Sequence, residues 1–500
     1  MIRIRCIGSD GVREMDSEEG IPLLTILGKN GYNVYSPCGG RGLCGKCTVW
    51  VSGTGKVLSC RYYPVSDIEV ILPGDDEAQI LARQTEFLEN FQFRPELSSS
   101  HSPSPYGVAV DLGTTTVALY FINLIDGTIE KISSFLNPQM RFGADIISRI
   151  TWCQENDTGL RDLQTVIHAS INSGLDAFLT ERNLNTSNIE KLVVAGNTTM
   201  LHLLLGEDPV PIALAPFTPG FTERQVRRGA SSGLNINPDG QLVTLSCLSA
   251  YIGADIIAGL AALKPLYQNY LFVDIGTNGE IALVTGDTVY ACSAAAGPAL
   301  EGASLYCGMT AVRGAISAYS GDGVITVIGN AEPEGICGSG IVDIVAYLLR
   351  KGIVDESGFL NEPFVVYPGN NILITRQDIR EIQLAKSAIF SGIRILMKRA
   401  GIGFEDIEAL FLAGGIGNYI NIDSAIALGL LPSELDNRIF PVGNSAGIGA
   451  VQNLRSDEHE KRMLRILENS RYVELSDAQD FPEEFAVNMY FPGPSGVDIA

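Results

Sequence analysis

The chain carries one short pattern twice, and this repetition limits its folds more than any other feature. An apolar stretch ends near Asp111 and is followed by Gly113 and three threonines before a second apolar stretch begins. The pattern returns about 160 residues later around Asp274 and Gly276. Each copy predicts a strand, a tight turn and a second strand. Two copies indicate a duplicated α/β domain pair facing a cleft, although two ordinary Asp-Gly hairpins would give the same pattern.

The residue types in both turns suit a bound nucleotide. An Asp at a strand end can hold Mg²⁺ through water, and the glycines, hydroxyls and amides of a tight turn can surround phosphate oxygens. The Mg²⁺ candidates are Asp111 and Asp274. The phosphate candidates are Gly113, Thr114, Thr115 and Thr116 in the first copy and Gly276, Thr277 and Asn278 in the second. The pattern GxxxxGK[ST] is absent from the sequence, which excludes a P-loop ATPase.

A third glycine-rich turn follows the apolar residues 409–413. Gly414, Gly415 and Gly417 lie where a buried strand should give way to a helix, a place where a nucleotide can approach the backbone. Apolar periodicity also predicts covering helices over residues 160–179 and 378–399. A capping-box pattern precedes the second of these helices.

Four of the ten cysteines lie within 23 residues and form a candidate metal centre: Cys38, Cys44, Cys47 and Cys60. Their spacing, with a single CxxC and several glycines, is typical of a [2Fe–2S] loop. The glycines let the backbone approach the cluster and direct N–H groups at its sulfides. A zinc site usually pairs two CxxC-like knuckles; zinc and disulfides remain the alternatives. GxGxxG at residues 40–45 opens no βαβ unit, so a dinucleotide site is rejected.

The order of these features predicts the domain organisation. Residues 1–75 read as a small α+β domain of the β-grasp, ferredoxin-like type. Residues 76–105 end in a Ser/Pro-rich stretch and read as a flexible linker. Residues 106–455 would form the α/β nucleotide-binding body, with lobes over about 106–265 and 266–455. Residues 456–500 are expected to be a C-terminal tail packed on that body.

The net charge of −22 excludes some classes of partner. A phosphate-backbone binder needs clusters of Lys and Arg, and so does docking on anionic lipid, so neither nucleic acid nor a membrane is expected. No apolar run approaches the roughly 20 residues that span a bilayer. The first residues lack a signal-peptide core, and we expect a cytoplasmic protein.

Taken together, the motifs resemble one family, the reductive activators of corrinoid-dependent enzymes. These proteins join an N-terminal [2Fe–2S] domain to an ATPase domain of the ASKHA fold, which actin and the sugar kinases share. The resemblance covers essentially the whole chain. It rests on CGGRGLCGKC (38–47), VDLGTTT (110–116), RFGADIISRI (141–150), VAGNTTMLHLLLG (194–206), IGADI (252–256), DIGTNGE (274–280), GPALEGA (297–303), CGSGIVD (337–343), IQLAKSAI (382–389) and FLAGGIGNYI (411–420).

The resemblance implies a function and assigns roles. The cluster would take an electron from a donor that the sequence does not identify and pass it to a Co(II) corrinoid protein, giving Co(I) at the expense of ATP. The four cysteines would bind iron, and Asp111 and Asp274 would position Mg²⁺ and water. Asp255 and Glu301 lie in family-like motifs and are further candidates, either catalytic or structural. Homodimerisation is an expectation from the resemblance alone.

Other functions stay open at this point. The chain has four His and no DxHxxG pattern, so the corrinoid should belong to the partner protein. An activator of another low-potential enzyme, similar to the 2-hydroxyacyl-CoA dehydratase activases, is one alternative. A small-molecule kinase with a ferredoxin redox sensor and a non-catalytic scaffold are the others.

Overall fold

The structure is a computed structural model of the 500-residue chain. It describes residues 2–8, 11–30, 48–52, 54–71, 87–89, 91–93, 104–143, 145–302, 304–311, 314–321, 323–417 and 419–493.

The N-terminal part forms a five-stranded sheet with one helix. The elements are β1 (Ile2–Gly8), β2 (Gly11–Ser17), α1 (Leu23–Lys29), β3 (Thr48–Val51), β4 (Gly55–Leu58) and β5 (Ile68–Ile71). The strand order is β2-β1-β5-β3-β4, and β1 and β5 are parallel neighbours at its centre. Alternate residues of β1, including Ile2 and Ile4, are buried with Leu23 and Leu27 of the helix in one small core. The period-2 pattern of β1 therefore buries one face of the sheet under α1.

The first lobe of the body is built on a six-stranded sheet. Its strands are β6 (Tyr106–Leu112), β7 (Thr116–Asn123), β8 (Ile129–Leu136), β9 (Ile189–Gly196), β10 (Gln225–Arg228) and β11 (Gln241–Thr244). Its helices are α2 (Ile146–Glu155), α3 (Gly159–Arg182), α4 (Thr198–Leu205), α5 (Val210–Ala213) and α6 (Ala254–Ala262). The strand order is β10-β11-β9-β6-β7-β8, in which β6 to β8 form an antiparallel meander and β6, β9 and β11 are parallel.

The second lobe repeats this sheet. Its strands and helices are β12 (Asn269–Ile275), β13 (Gly279–Thr285), β14 (Thr288–Ala294), β15 (Ala315–Gly321), β16 (Val324–Val327), β17 (Gly335–Ile336), α7 (Gly338–Arg350), β18 (Phe364–Tyr367), β19 (Ile372–Ile374), α8 (Arg376–Ala400), β20 (Ala409–Ala413), α9 (Gly414–Gly417), α10 (Ile422–Ala427), β21 (Ile439–Gly443), α11 (Ser445–Arg455), α12 (Asp457–Glu468), β22 (Ser470–Tyr472) and α13 (Phe481–Val487). The order is β21-β20-β12-β13-β14-β22: β12 to β14 form an antiparallel meander, β20 and β21 add parallel strands on one side, and β22 adds one on the other.

Two helices connect the lobes. Helix α6 leads from the first sheet into β12, and α11 follows β21 of the second sheet but packs on β6 and β9 of the first. The two helices pack closely on each other, because a Cβ on Gly449 would lie 2.5 Å from the carbonyl oxygen of Ala258. This glycine permits a helix separation that a larger side chain would prevent.

Part of the expected flexible linker is packed against the body. Residues 87–89 and 91–93, here called the anchor segment, contain Leu88, which forms an antiparallel bridge with Leu263 just after α6. The Phe87 ring lies 4.5 Å, centroid to centroid, from that of Phe440, and Phe91 lies 5.5 Å from His459. The prediction of a flexible linker over 76–105 is therefore wrong for these residues, since their aromatic side chains are held in the body.

The residues after 455 are also integrated into the body. Helix α12 packs on α6, and β22 adds a parallel edge strand beside β14. Helix α13 packs on α8, where Gln383 Nε2 donates to the carbonyl oxygen of Met489 at 2.8 Å. Within the part of the chain that the structure describes, no helix is both long and apolar enough to cross a membrane.

Candidate functional site

The first repeat forms a tight turn between two buried strands. Asp111 lies near the end of β6, and the Gly113 N–H donates to the carbonyl oxygen of Thr116 at 3.0 Å. A Cβ on Gly113 would lie 2.6 Å from that same oxygen, so only glycine fits this turn without a shift. This hydrogen bond closes the turn between β6 and β7 over Thr114 and Thr115.

Buried side chains hold this turn from the protein side. Arg149 of α2 is fully buried, and its Nη2 donates to the carbonyl oxygen of Thr114 at 2.6 Å. Burial lowers the pKa of Arg149 to about 10. Asn137 Nδ2 donates to the Gly113 carbonyl at 2.8 Å, and Asn197 Nδ2 donates to Thr114 Oγ1 at 3.1 Å. The turn is thus fixed by donors whose own positions are set in the core.

The second repeat forms a corresponding turn after β12. The Gly276 N–H donates to the carbonyl oxygen of Asn278 at 3.0 Å. Thr277 Oγ1 donates to Glu301 Oε2 at 2.6 Å. Asp274 lies on β12 in register with Glu280 of β13 and Ala413 of β20. This places Asp274 in the same position relative to its turn as Asp111 has in the first repeat.

The third glycine turn reaches Asp274. Gly414 follows β20 with φ of +86°, and a Cβ there would lie 2.3 Å from Asp274 Oδ1. Gly417 is buried against Leu412, while a Cβ on Gly415 would meet no atom within 4 Å. The three glycines therefore differ: Gly414 allows a close approach, Gly417 a packing contact, and Gly415 leaves open space.

Five carboxylates act on one another in this region: Asp111, Asp255, Asp274, Glu280 and Glu301. Burial, together with the charges of Asp255, Asp111 and Glu301, raises the pKa of Asp274 to about 8. Burial also raises the pKa of Asp255 to about 6. Burial and two neighbouring aspartates raise the pKa of Glu280 well above its usual range. Such a group of partly buried acids would be stabilised in its charged form by a cation.

The carboxylates fit a metal that is bound together with another ligand. Among the described residues, no three His, Cys, Asp or Glu side chains lie where they could bind one ion together. Mg²⁺ usually keeps several waters and is bound by one or two carboxylates plus substrate phosphates. Asp111 and Asp274 beside two turns suit that arrangement better than a cage made of protein alone.

Only one cysteine of the candidate metal centre lies in a described region. Cys60 is buried in the core of the N-terminal sheet, in the turn after β4. The carbonyls of Ser59 and Tyr62 on either side accept from the Leu24 and Leu23 N–H groups at 2.9 and 2.8 Å. The turn is thus fixed to the first turn of α1. Cys38, Cys44 and Cys47 lie outside the described residues, so the cluster stays a prediction.

Two sequence-family models and several known proteins match this chain. Residues 106–267 match the sequence model described as the RACo middle region, and residues 268–496 match the C-terminal domain of RACo, the ASKHA domain. The corrinoid activation enzyme RamQ of Eubacterium limosum is 34% identical over 417 residues, covering 77% of this chain and 70% of that protein. The chain belongs to the reductive activators of corrinoid proteins. The resemblance noted in the sequence is confirmed.

Two further members of the reductive-activator family support this assignment. A [Co(II) methylated amine-specific corrinoid protein] reductase of Methanosarcina barkeri is 27% identical over 68% of this chain and 68% of its own length. The solved structure of a reductive activator for corrinoid, iron-sulfur protein superposes with a TM-score of 0.72 and 29% identity. It covers 98% of both chains. The α/β ASKHA architecture predicted for the C-terminal part of this activator is thereby confirmed.

The sequence did not single out all residues that the structure brings to the site of this reductive activator. Asn444 Nδ2 donates to Asp111 Oδ2 at 2.8 Å, although the two residues are 333 positions apart. An Asn before Ser-Ala-Gly is typical of a helix N-cap, but this signal does not indicate which carboxylate it contacts. Arg149 lies within one of the motifs that carry the family resemblance, yet no local pattern in the sequence indicates its contact with the first turn.

Proposed function

We propose that this protein is an ATP-dependent reductive activator that transfers one electron to a Co(II) corrinoid protein and so regenerates Co(I). A low-potential one-electron donor, which is not identified, supplies the electron, and ATP is hydrolysed to ADP and phosphate. The observation that carries the proposal is the relationship to a reductive activator across 98% of both chains. This match spans the N-terminal sheet as well as the two lobes, which supports one shared activity for the whole chain.

In this proposal the N-terminal part is a ferredoxin-like domain over residues 1–75. Cys38, Cys44, Cys47 and Cys60 would hold a [2Fe–2S] cluster, which supplies one-electron chemistry when bound. The strand order β2-β1-β5-β3-β4 with one packed helix supports a β-grasp domain. The buried position of Cys60 supports a ligand that is kept from water on one side.

The proposed nucleotide site lies between the two repeats. Asp111 and Asp274 would hold Mg²⁺ through water, and the turns at Thr114–Thr116 and Gly276–Asn278 would contact phosphates. Gly414, Gly415 and Gly417 would border the adenosine, and the open space at Gly415 supports this assignment. Asp255 would orient water together with Asp274, whose pKa the charge of Asp255 helps to raise. Glu301 would set the rotamer of Thr277 through its hydrogen bond.

The corrinoid in this proposal belongs to a partner protein. His168 and His459 each place a ring nitrogen near a backbone carbonyl oxygen, at 2.9 and 3.1 Å. His202 contacts the Thr198 carbonyl oxygen and accepts from the Gly220 N–H. These three rings are committed to packing, which supports a corrinoid carried elsewhere. A net charge of −22 favours a partner with a neutral or basic docking face.

ATP can drive this transfer only through differential binding. Nucleotide binding must stabilise one arrangement of the two lobes, and the corrinoid partner must bind that arrangement better in one of its states. The connecting helices α6 and α11 are the parts of the body through which both lobes would communicate. Homodimerisation would not alter this requirement.

An anaerobic assay tests the proposal. Reduced protein, Mg²⁺–ATP and a Co(II) corrinoid protein are mixed, and Co(I) is followed by its absorbance. Co(I) should form with ATP, and should fail to form without ATP or with the variant Cys44→Ser. Cys153→Ser, a cysteine far from the cluster loop in sequence, should behave as wild type. Equal Co(I) formation with and without ATP would contradict the proposal.

A further inference from the structure

We propose that Asn444 is a positioning residue for Asp111 and acts from the junction between the two lobes. This inference rests on the proposed hydrolysis of ATP. Asn444 follows β21, a strand of the second sheet, and caps α11, a helix that packs on β6 and β9 of the first. Its backbone thus belongs to the connection between lobes, while its side chain reaches a carboxylate of the first repeat.

Three hydrogen bonds determine how the Asn444 amide is oriented. Its Oδ1 accepts from the Gly447 N–H at 2.7 Å, which is the N-cap bond of α11. Its Nδ2 donates to Asp111 Oδ2 at 2.8 Å and to the Tyr120 hydroxyl at 3.2 Å. Since a backbone N–H can only donate, the amide oxygen must face Gly447 and the NH₂ group must face Asp111. The N-cap hydrogen bond from Gly447 therefore determines that the Asn444 NH₂ group faces Asp111.

The donor is a neutral amide, and a neutral donor suits a carboxylate that would bind a cation. Asp111 belongs to a group of interacting carboxylates, where it contributes to the raised pKa of Asp274. An Arg or Lys partner would orient Asp111 but would also neutralise it and compete with a divalent cation. A neutral amide orients the carboxylate and leaves its negative charge available. Asn444 can therefore select one rotamer of Asp111 without weakening its attraction for a metal.

The position of Asn444 is itself tightly held. A Cβ on Gly447 would lie 2.6 Å from the Tyr120 hydroxyl, so the first turn of α11 lies directly against β7. A Cβ on Gly449 would lie 2.5 Å from the Ala258 carbonyl of α6. A relative movement of the lobes must displace this end of α11 or bend the chain at Asn444. The geometry of Asp111 is thereby linked to the arrangement of the lobes.

Two substitutions separate the donor from the cap. Ser and Asp are as good at N-cap positions as Asn, so Asn444→Ser and Asn444→Asp both keep the bond from Gly447. Neither can donate to Asp111 as the amide does: Ser is too short, and an ionised Asp has no proton. The matched control is Asn421→Ser, because Asn421 caps α10 by accepting from the Ser424 N–H.

The measurement is ATP turnover with saturating Co(II) corrinoid protein, as a function of ATP and of Mg²⁺. Both Asn444 variants should lose about tenfold or more in kcat, the loss expected for a hydrogen bond to a charged group. The Mg²⁺ concentration for half-maximal rate should rise in Asn444→Ser, whereas the KM for ATP should change little. Asn421→Ser should match wild type, and its melting temperature should be close to that of Asn444→Ser.

A double variant tests whether Asn444 acts through Asp111. If it does, Asn444→Ser should cause little further loss of kcat in an Asp111→Asn background. Fully additive losses would overturn the inference, as would wild-type kcat and Mg²⁺ dependence in both Asn444 variants. If one variant fails to fold, the other still answers the question. If the wild-type protein does not turn over ATP, the proposed function itself is overturned. This measurement on the wild type comes before any variant is compared, so the two failures are distinguishable.

Discussion

A Cβ atom on Gly414 would lie 2.3 Å from Oδ1 of Asp274, at a residue whose φ is +86°. Gly414, which follows β20, thus lies directly against the Asp274 carboxylate near the end of β12. Any other residue type would place a Cβ atom in the space between them. Motifs that are about 140 residues apart in the sequence are thereby neighbours, with β20 and β12 paired in parallel beneath them.

Gly414→Ala is therefore expected to abolish ATP-dependent Co(I) formation and to weaken nucleotide binding by at least about tenfold. The methyl group must displace Asp274 or the turn, and the left-handed backbone adds about 1 kcal/mol of strain. Binding can be measured by calorimetry with a non-hydrolysable ATP analogue. Gly352→Ala is the control, since Gly352 has φ of +66° and open space around its Cβ position. Equal binding by both variants would mean that the Gly414 contact is irrelevant to nucleotide.

Arg149→Met should destabilise the protein by about 2–4 kcal/mol. The side chain is fully buried, and the substitution leaves the carbonyls of Thr114 and Gly143 without a charged donor. Urea unfolding followed by circular dichroism measures the loss. Arg228→Met is the comparison, because Arg228 pairs with Asp239 on the surface and should change stability by less than about 1 kcal/mol. A similar loss of unfolding free energy in both variants would show that buried Arg149 contributes no more to stability than a surface arginine.

Lys386 predicts a pH dependence of stability. It is buried on α8, donates to the Tyr490 carbonyl, and burial lowers its pKa from 10.5 to about 7. Between these values the unfolded chain binds more protons than the folded one, so this lysine makes stability rise with pH from about 7 to 10.5. The stability of wild type relative to Lys386→Met should therefore increase across that range.

Chemical unfolding at several pH values gives this difference directly. Lys398→Met is the matched control on the same helix, since Lys398 is largely exposed and hydrogen-bonded to Glu484, which raises its pKa. Its contribution is present below its unfolded pKa and is lost only as pH rises further, so its difference from wild type should be flat from pH 7 to 10. A flat difference for Lys386→Met would show that its amine is not desolvated.

The anchor segment should be released by Phe91→Ala. Phe91 is 9% exposed and packs edge-on against His459, and deletion of a buried ring typically costs about 3–5 kcal/mol. The Glu89 N–H, which donates to the Ala262 carbonyl at 2.8 Å, should then exchange with solvent much faster. Hydrogen exchange with mass spectrometry reports this amide. Leu266→Ala, an exposed side chain, should leave its protection unchanged.

Local patterns predicted the local structure well. The helix expected over residues 378–399 is confirmed as Arg376–Ala400, and its capping box between Thr375 and Asp378 is present. The helix expected over 160–179 is confirmed as Gly159–Arg182. Both follow from apolar periodicity and capping signals, which depend on neighbours in the sequence.

Contacts between distant residues were not predictable in the same way. The bond between Asn444 and Asp111 depends on α11 crossing from one sheet to the other, which no local pattern encodes. The sequence of the anchor segment predicts a linker, because Phe87, Leu88 and Phe91 follow no helical or strand period. Their burial depends on contacts with the distant elements α6, β21 and α12, and a single bridge to Leu263 leaves no periodic signal.

The anchor segment also sets an upper limit on the distance between the body and the N-terminal part, the proposed electron carrier. From the end of β5, fifteen residues (72–86) lead to the anchor segment, whereas thirty-four (72–105) lead to β6. At the maximum extension per residue, the largest possible distance from the point of attachment falls from about 115 Å to about 50 Å, and the accessible volume falls roughly tenfold. A smaller volume means a higher local concentration of the carrier beside its own ATPase body. Cutting the chain within residues 72–86, or lengthening it there, would therefore lower the local concentration of the carrier at the body without changing the sequence of either part.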